Sequence, residues 1–103
     1  SLLDEMQRRG IEPNVITFNA AISACGRGGQ RERALSLLEE MQRRGIEPTT
    51  ISFNAAISAC EKGRDWRRAL SLLEELRGHD LQPDVVSYSA AISACEKGGK
   101  WQQ

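Results

Sequence analysis

The chain repeats itself every 35 residues, and this period constrains the fold more than any local signal does. Residues 19–25 recur unchanged as residues 54–60, and residues 34–40 recur as residues 69–75. Single positions follow the same spacing, with an aromatic residue at Phe18, Phe53 and Tyr88 and a cysteine at Cys25, Cys60 and Cys95. A period of this length is typical of repeat proteins, in which each unit packs mainly on its neighbours.

Each unit contains two stretches whose apolar residues recur at helical spacing. In the first full unit they are Phe18, Ala21, Ile22 and Cys25, then Ala34, Leu37, Leu38 and Met41. A short polar residue follows each proline, so we expect helix N-caps at Asn14, Thr49 and Asp84. Glycines at 28, 63 and 98 are expected to end the first helix of each unit. The sequence therefore predicts an all-α solenoid of stacked antiparallel helical hairpins.

This frame divides the chain into four parts and predicts six helices. Residues 1–14 form the second helix and the end of a truncated repeat, 15–49 and 50–84 are complete repeats, and 85–103 contain the first helix of a truncated repeat. A further helix would begin at Trp101. Neither end carries a polar capping element, so we expect exposed apolar surface there, open to protein partners or end-to-end association.

Composition narrows the classes of function. The 103 residues carry 14 basic and 14 acidic side chains, so no whole-molecule field attracts polyanions or membranes. We expect no membrane partner, since the sequence has neither a long apolar run nor a basic segment opening a signal peptide. The chain has one histidine, His79, and three cysteines without a Cys-x-x-Cys pair, so we expect neither a bound metal nor a cofactor. The three thiols are expected to be inert and to lie on a buried seam. No catalytic set or glycine-rich phosphate loop is present, so the chain is predicted not to be an enzyme and to have no small-molecule substrate.

A second stripe of residues follows the face of each first helix that is turned away from the apolar seam. Each stripe runs from an apolar residue through two polar residues to a basic one, so equivalent positions form an apolar, a polar and a basic row across the repeats. The stripes are Ile16, Asn19, Ser23 and Arg27, then Ile51, Asn54, Ser58 and Lys62, then Val86, Ser89, Ser93 and Lys97. Stacked hairpins would place the three stripes side by side. Apolar contacts to base faces, amide contacts to base edges and cations near phosphates are what a single-strand nucleic-acid surface requires.

These features resemble the pentatricopeptide repeat family, in its P-type 35-residue form. The resemblance covers essentially the whole chain and rests on Val-Ile-Thr-Phe-Asn-Ala-Ala-Ile-Ser-Ala-Cys, Ala-Leu-Ser-Leu-Leu-Glu-Glu-Met and Arg-Gly-Ile-Glu-Pro. It implies a right-handed α-solenoid that binds single-stranded RNA at one base per repeat. It further implies a fragment of a longer RNA-processing or RNA-stabilising protein of mitochondria or plastids, although this sequence carries no targeting segment. Binding by the fragment alone should be weak.

The resemblance also assigns roles to individual residues. In that family the fifth and last residues of a repeat read the base, which implies the pairs Asn19 with Thr49 and Asn54 with Asp84. The second pair resembles a uridine reader, and the first implies a weak pyrimidine preference. Two half-sites remain, because Asn14 closes a repeat whose reader is missing and Ser89, similar to a purine reader, has its closing position beyond Gln103. The remaining implied roles are base sandwiching by Ile16, Ile51 and Val86 and phosphate contact by Arg27, Lys62 and Lys97.

Each role has a structural alternative. Asn14, Thr49 and Asp84 are ordinary N-caps, and both roles are compatible. The apolar row is better suited to packing between repeats than to contacting bases. The basic row also suits neutralisation of a helix C-terminus, although its place in the stripe favours phosphate contact. Trp66 and Trp101 are expected to wedge against a neighbouring hairpin. The alternative function is a tetratricopeptide-like scaffold for protein–protein interaction, although that family's Trp and Leu-Gly signature is missing from the first helix.

Overall fold

The computed structural model describes residues 2–99, and this part of the chain contains six α-helices. They are α1 (Leu2–Arg8), α2 (Val15–Arg27), α3 (Arg31–Arg43), α4 (Thr50–Lys62), α5 (Trp66–Gly78) and α6 (Val85–Lys97). The first residues of α2, α4 and α6 lie 35 positions apart, as do those of α3 and α5. The predicted all-α architecture is confirmed, whereas the helix predicted from Trp101 lies outside the described residues.

The first helix of each hairpin begins at the predicted cap. Asn14, Thr49 and Asp84 are the N-cap residues of α2, α4 and α6, and each has an extended backbone. At α6, Asp84 Oδ1 accepts a hydrogen bond from the Ser87 backbone N–H at 3.1 Å, and Ser87 Oγ accepts one from the Asp84 N–H at 3.1 Å. This reciprocal pair satisfies two backbone donors that the first helical turn leaves without partners. The capping prediction is therefore confirmed.

The turn after each second helix requires a left-handed backbone conformation. Gly10 and Gly45 adopt it with φ of 77° and 78°. Asp80 occupies the equivalent position in the next repeat and adopts the same conformation with φ of 61°. Aspartate is one of the few residues other than glycine that enter this region readily, so the turn is kept despite the substitution.

The helices form two layers with different spacing. In one layer α2 packs on α4 and α4 packs on α6, while α3 and α5 pack on their hairpin partners and lie further apart. Gly26 permits the close approach in the first layer, since a Cβ there would lie 3.2 Å from the Ala59 Cβ. A groove of about 540 Å³ runs between α3 and α5. The closer spacing of α2, α4 and α6 makes their layer the concave face.

The core lies between the two layers and follows the predicted apolar stripes. Phe18, Phe53, Ile22, Ile57 and Met41 are fully buried. On α6 the equivalents of Phe53 and Ile57 are exposed, Tyr88 at 46% and Ile92 at 49%, and Leu2 on α1 is 84% exposed. The expected apolar surface at both ends is confirmed.

The recurring cysteines do not share one environment. Cys60 is buried, whereas Cys25 and Cys95 are half-buried, so the buried-seam prediction is correct only for Cys60. Cys60 lies on α4, which has a first helix on each side. Burial raises the pKa of the Cys60 thiol to about 11, with a smaller contribution from the Asp65 carboxylate. A buried thiol with this pKa is chemically inert at neutral pH.

Trp66 packs against the neighbouring repeat, as predicted. A Cβ on Gly98, the C-cap of α6, would lie 2.6 Å from the indole Cδ1 of Trp66, so the ring fills the space beside this glycine. The equivalent prediction for Trp101 falls outside the described part of the chain.

Candidate nucleic-acid interface

The predicted stripes meet in one groove on the concave face. The groove has a volume of about 380 Å³ and lies over α2, α4 and the beginning of α6. Its lining includes most members of the first two stripes and the start of the third: Asn19, Ser23, Arg27, Ile51, Asn54, Ser58, Lys62, Asp84 and Val86. The apolar, polar and basic rows are thus brought together as the sequence predicted.

The two base-reading pairs that the family resemblance implied are in direct contact. Asn54 Nδ2 donates a hydrogen bond to Asp84 Oδ1 at 3.0 Å, and Asn19 Nδ2 donates one to Thr49 Oγ1 at 3.5 Å. In each pair the asparagine comes from one first helix and its partner is the N-cap of the next. A capping residue therefore also forms part of the groove surface, so capping and binding are compatible roles.

A buried serine lies behind each asparagine, and sequence reasoning missed both serines. Ser52 Oγ donates to Asn19 Oδ1 at 2.5 Å, and Ser87 Oγ donates to Asn54 Oδ1 at 2.5 Å. Both serines are fully buried and occupy the third helical position of a capping box. The detectable signal was a hydroxyl residue three positions after each N-cap, at Thr17, Ser52 and Ser87. These hydroxyls occupy the amide oxygens, and the amide nitrogens donate to Thr49 and Asp84 at the groove.

The apolar row is exposed to solvent. Ile16 is 73% exposed, Ile51 is 66% exposed and Val86 is 53% exposed. The favoured prediction that these side chains pack between repeats is therefore wrong. Contact between neighbouring first helices is made instead by small residues such as Gly26 and Ala59. An exposed apolar row flanked by amides is available to flat apolar ligands.

The basic row is only partly available to a ligand. Lys62 is exposed, and Arg27 donates to Ser23 Oγ at 2.8 Å on its own helix. Lys97 forms an ion pair with Glu61, which also accepts a hydrogen bond from Ser93 Oγ at 3.0 Å. Sequence reasoning missed this pair, although a carboxylate at Glu61 in place of Gly26 was visible. A carboxylate thus lies among the predicted phosphate contacts.

Two carboxylates at this surface remain ionised well below neutral pH. The ion pair with Lys97 lowers the pKa of Glu61 from its usual value. Hydrogen bonds from the Ser87 backbone N–H and then from the Asn54 amide lower the pKa of Asp84. The Asn54–Asp84 pair therefore presents a fixed donor next to a fixed negative acceptor at pH 7.

The two half-sites are placed apart from these pairs. Asn14 is exposed and its Oδ1 accepts from the Thr17 backbone N–H at 3.1 Å, as an N-cap does. Ser89 is exposed on α6. The partner that the resemblance requires for each lies outside the sequence, so neither forms a pair.

Other kinds of site have little support in the described range 2–99. No group of three or more histidine, cysteine, aspartate or glutamate side chains there is arranged to hold a metal ion. No helix in that range has the length and apolar character needed to span a membrane. The larger groove between α3 and α5 contains none of the predicted site residues.

Comparison with protein families decides the class of these repeats. Residues 1–63 match the model of the pentatricopeptide repeat domain, and residues 48–97 match that of the PPR repeat family. The chain belongs to the pentatricopeptide repeat family. A curated member, the pentatricopeptide repeat-containing protein At4g14170 of Arabidopsis thaliana, is 52% identical to this pentatricopeptide repeat chain over 33 residues.

Solved structures agree with this assignment. The pentatricopeptide repeat protein PPR10 in complex with an 18-nt psaJ RNA element matches 95% of this chain with a TM-score of 0.89 and 32% identity. PPR10 from maize matches the same share with a TM-score of 0.87. The predicted right-handed α-solenoid is confirmed. This pentatricopeptide repeat chain covers 14% of PPR10 and its match covers 7% of the Arabidopsis protein, so it spans a small part of either.

Proposed function

We propose that this chain binds single-stranded RNA along its concave face and reads one base with each complete repeat. The observation that carries the proposal is the pair of contacts Asn19–Thr49 and Asn54–Asp84, which occur at the same place in successive repeats of one groove. PPR10, a similar protein, has been solved in complex with an RNA element.

The chemistry of the second pair fits uracil. The Asn54 amide nitrogen is a donor, and the adjacent Asp84 carboxylate accepts hydrogen bonds only. Uracil presents carbonyl acceptors beside its N3–H donor, so it complements both groups. In the position where uracil directs its N3–H at the carboxylate, cytosine would place its N3 acceptor there, leaving a polar group unpaired. This repeat should therefore prefer uracil.

The chemistry of the first pair is less selective. The Thr49 hydroxyl both donates and accepts, and it lies 3.5 Å from the Asn19 amide nitrogen. The Thr49 hydroxyl by itself accommodates the edge of either pyrimidine, so discrimination between uracil and cytosine depends on the Asn19 amide. We therefore propose only a weak pyrimidine preference for this repeat.

The remaining rows supply sequence-independent contacts. Ile51 and Val86 flank the Asn54–Asp84 pair and are exposed, so a base inserted there would contact apolar surface on both sides. Lys62 and Arg27 lie at the other end of the groove and would meet phosphates. Base stacking contributes roughly 1–3 kcal/mol per base and association itself costs several, so two repeats should bind weakly.

In its cellular setting, we propose that the chain acts as a non-enzymatic part of a longer RNA-processing or RNA-stabilising protein in mitochondria or plastids. The exposed Tyr88 and Ile92 would support contact with a further repeat, a second copy or a protein partner.

The experiment is an NMR titration of the ¹⁵N-labelled 103-residue chain with short RNAs, which detects weak binding directly. We expect UU-containing tetranucleotides to shift the side-chain amides of Asn19 and Asn54, with weaker shifts for the matching CC or DNA oligonucleotides. The double variant Asn54→Ser, Asp84→Asn should move the preference at the second base from uracil to adenine. Absent shifts would favour a protein-binding scaffold instead, whereas shifts that map to the groove between α3 and α5 would reject the concave face as the RNA site.

A further inference from the structure

We propose that Ser52 is a positioning residue that fixes which way the Asn19 amide faces and so sets the base preference of the first repeat. The inference rests on the proposed function. It concerns an amide whose two ends differ chemically, since the oxygen accepts hydrogen bonds and the nitrogen donates them. The end that faces the groove determines which base edge is complementary.

The surroundings of Ser52 leave its hydroxyl one good acceptor. Ser52 is fully buried, and its oxygen accepts a hydrogen bond from the Thr49 backbone N–H at 3.0 Å. Its single proton has two acceptors within reach, Asn19 Oδ1 at 2.5 Å and Thr49 Oγ1 at 3.4 Å. The nearer is strongly favoured, so Ser52 holds the Asn19 oxygen away from the groove.

Thr49 does not fix the amide in the same way. Its hydroxyl is 3.5 Å from Asn19 Nδ2, the limit of a hydrogen bond, and a hydroxyl rotates to donate or accept as required. If the amide turned over, Thr49 would donate to the oxygen instead. Ser52 distinguishes the two orientations of Asn19, because turning the amide over would leave the Ser52 proton only the Thr49 oxygen at 3.4 Å.

The second repeat provides an internal comparison. Ser87 stands in the same relation to Asn54, with the same 2.5 Å distance and full burial. The partner of Asn54 is however Asp84, whose carboxylate accepts only and lies 3.0 Å from Nδ2. Turning the Asn54 amide over would place its oxygen against that carboxylate. Asp84 therefore fixes the orientation of the Asn54 amide even without the Ser87 hydroxyl.

The orientation has a direct consequence for base choice. With its nitrogen facing the groove, Asn19 donates to O4 of uracil, the position at which cytosine carries an amine donor instead. With its oxygen facing the groove, it accepts from the exocyclic amine of cytosine. Removing the Ser52 hydroxyl should therefore reduce discrimination between uracil and cytosine at the first base. Removing the Ser87 hydroxyl should leave the discrimination between uracil and cytosine at the second base unchanged.

The test compares three variants of the full chain by NMR titration with tetranucleotides that differ only in the first or second read base. Ser52→Ala should reduce the uracil-over-cytosine preference at the first base to about twofold or less, from an expected ~5-fold in the original chain. The matched control Ser87→Ala loses an equivalent capping hydroxyl and should keep its preference at the second base. Adding Thr49→Asp to Ser52→Ala supplies an acceptor-only partner and should restore the uracil preference. An unchanged preference in Ser52→Ala, or an equal loss in Ser87→Ala, would overturn the inference.

A measurement on the free protein separates this inference from the proposed function. In the original chain, nuclear Overhauser effects from the Asn19 side-chain amide protons should be clearly stronger to Thr49 than to residue 52. In Ser52→Ala the effect to the new alanine methyl should become comparable to the effect to Thr49. Circular dichroism confirms that each variant is folded. Failure of the original chain to bind RNA would reject the proposed function, whereas a single amide orientation in folded Ser52→Ala would reject the positioning role.

Discussion

The Asn54 side chain donates a hydrogen bond to the Asp84 carboxylate at 3.0 Å, although the two residues lie 30 positions apart in the chain. One belongs to the middle of α4 and the other caps α6. The contact therefore links neighbouring repeats at the point where the concave groove passes between them. The same carboxylate oxygen also accepts the backbone N–H of Ser87, so helix capping and groove chemistry depend on one group.

This double role predicts a pH dependence for Asp84. Hydrogen bonds lower its pKa in the folded chain, whereas an unperturbed aspartate has a pKa of about 3.9. Its ionised form therefore stabilises the fold above that pH, and the contribution is lost as pH falls through the folded pKa. We expect the Asp84→Asn chain to have a melting temperature a few degrees lower than that of the original chain at pH 7. Near pH 2.5 the two melting temperatures should be equal. Thermal unfolding followed by circular dichroism between pH 2.5 and 7 checks this.

Asp80→Asn is the matched control for this series. It removes the same charge at a left-handed position that asparagine also tolerates, so its melting temperature should change little. A constant difference between Asp84→Asn and the original chain at every pH would contradict the role of the ionised carboxylate.

The three cysteines should differ in reactivity. Burial and the nearby Asp65 carboxylate raise the pKa of Cys60 to about 11, so only about one thiol in a thousand is ionised at pH 8. We expect iodoacetamide to modify half-buried Cys25 and Cys95 first, with Cys60 protected until the chain unfolds. Peptide mass spectrometry after timed labelling measures the three rates. Labelling in denaturant is the control, and equal rates in the folded chain would show that α4 is not packed as described.

The helices and the groove residues could be predicted because they depend on local signals that recur with the period. Apolar spacing determines a helix and a short polar residue determines its cap, whatever the neighbouring repeat does. Contacts between repeats depend on how far one helix is displaced along the next. The Ser52–Asn19 contact spans 33 residues and the Lys97–Glu61 contact spans 36, and neither offset can be read from the repeat itself. Periodicity also predicted equal environments for the cysteines, whereas burial requires a neighbour on both sides.

Ile51 tests whether the exposed apolar row contacts bases. The side chain is 66% exposed and lines the groove, so its removal should cost little stability. We expect Ile51→Ala to weaken RNA binding about fivefold, the lower range for loss of contact with one base. NMR titration gives the affinity. Val85→Ala is the control, because Val85 is 80% exposed and does not line the groove. Equal effects of the two substitutions would show that the apolar row plays no particular part.

Glu61 should limit the affinity for RNA, because its carboxylate pairs with the Lys97 ammonium group, which phosphate would otherwise contact. Its ion pair with Lys97 joins α4 to α6 beside the basic row. We expect Glu61→Gln to strengthen RNA binding about two- to fivefold, which is the change in affinity that corresponds to the free energy of a partly exposed ion pair. One additional phosphate contact should also steepen the dependence of log affinity on log salt by about 0.7. Glu96→Gln changes the net charge equally at the equivalent position of the next repeat. If both substitutions raise the affinity to the same extent, the gain reflects net charge alone, and Lys97 is not released from Glu61 to meet phosphate.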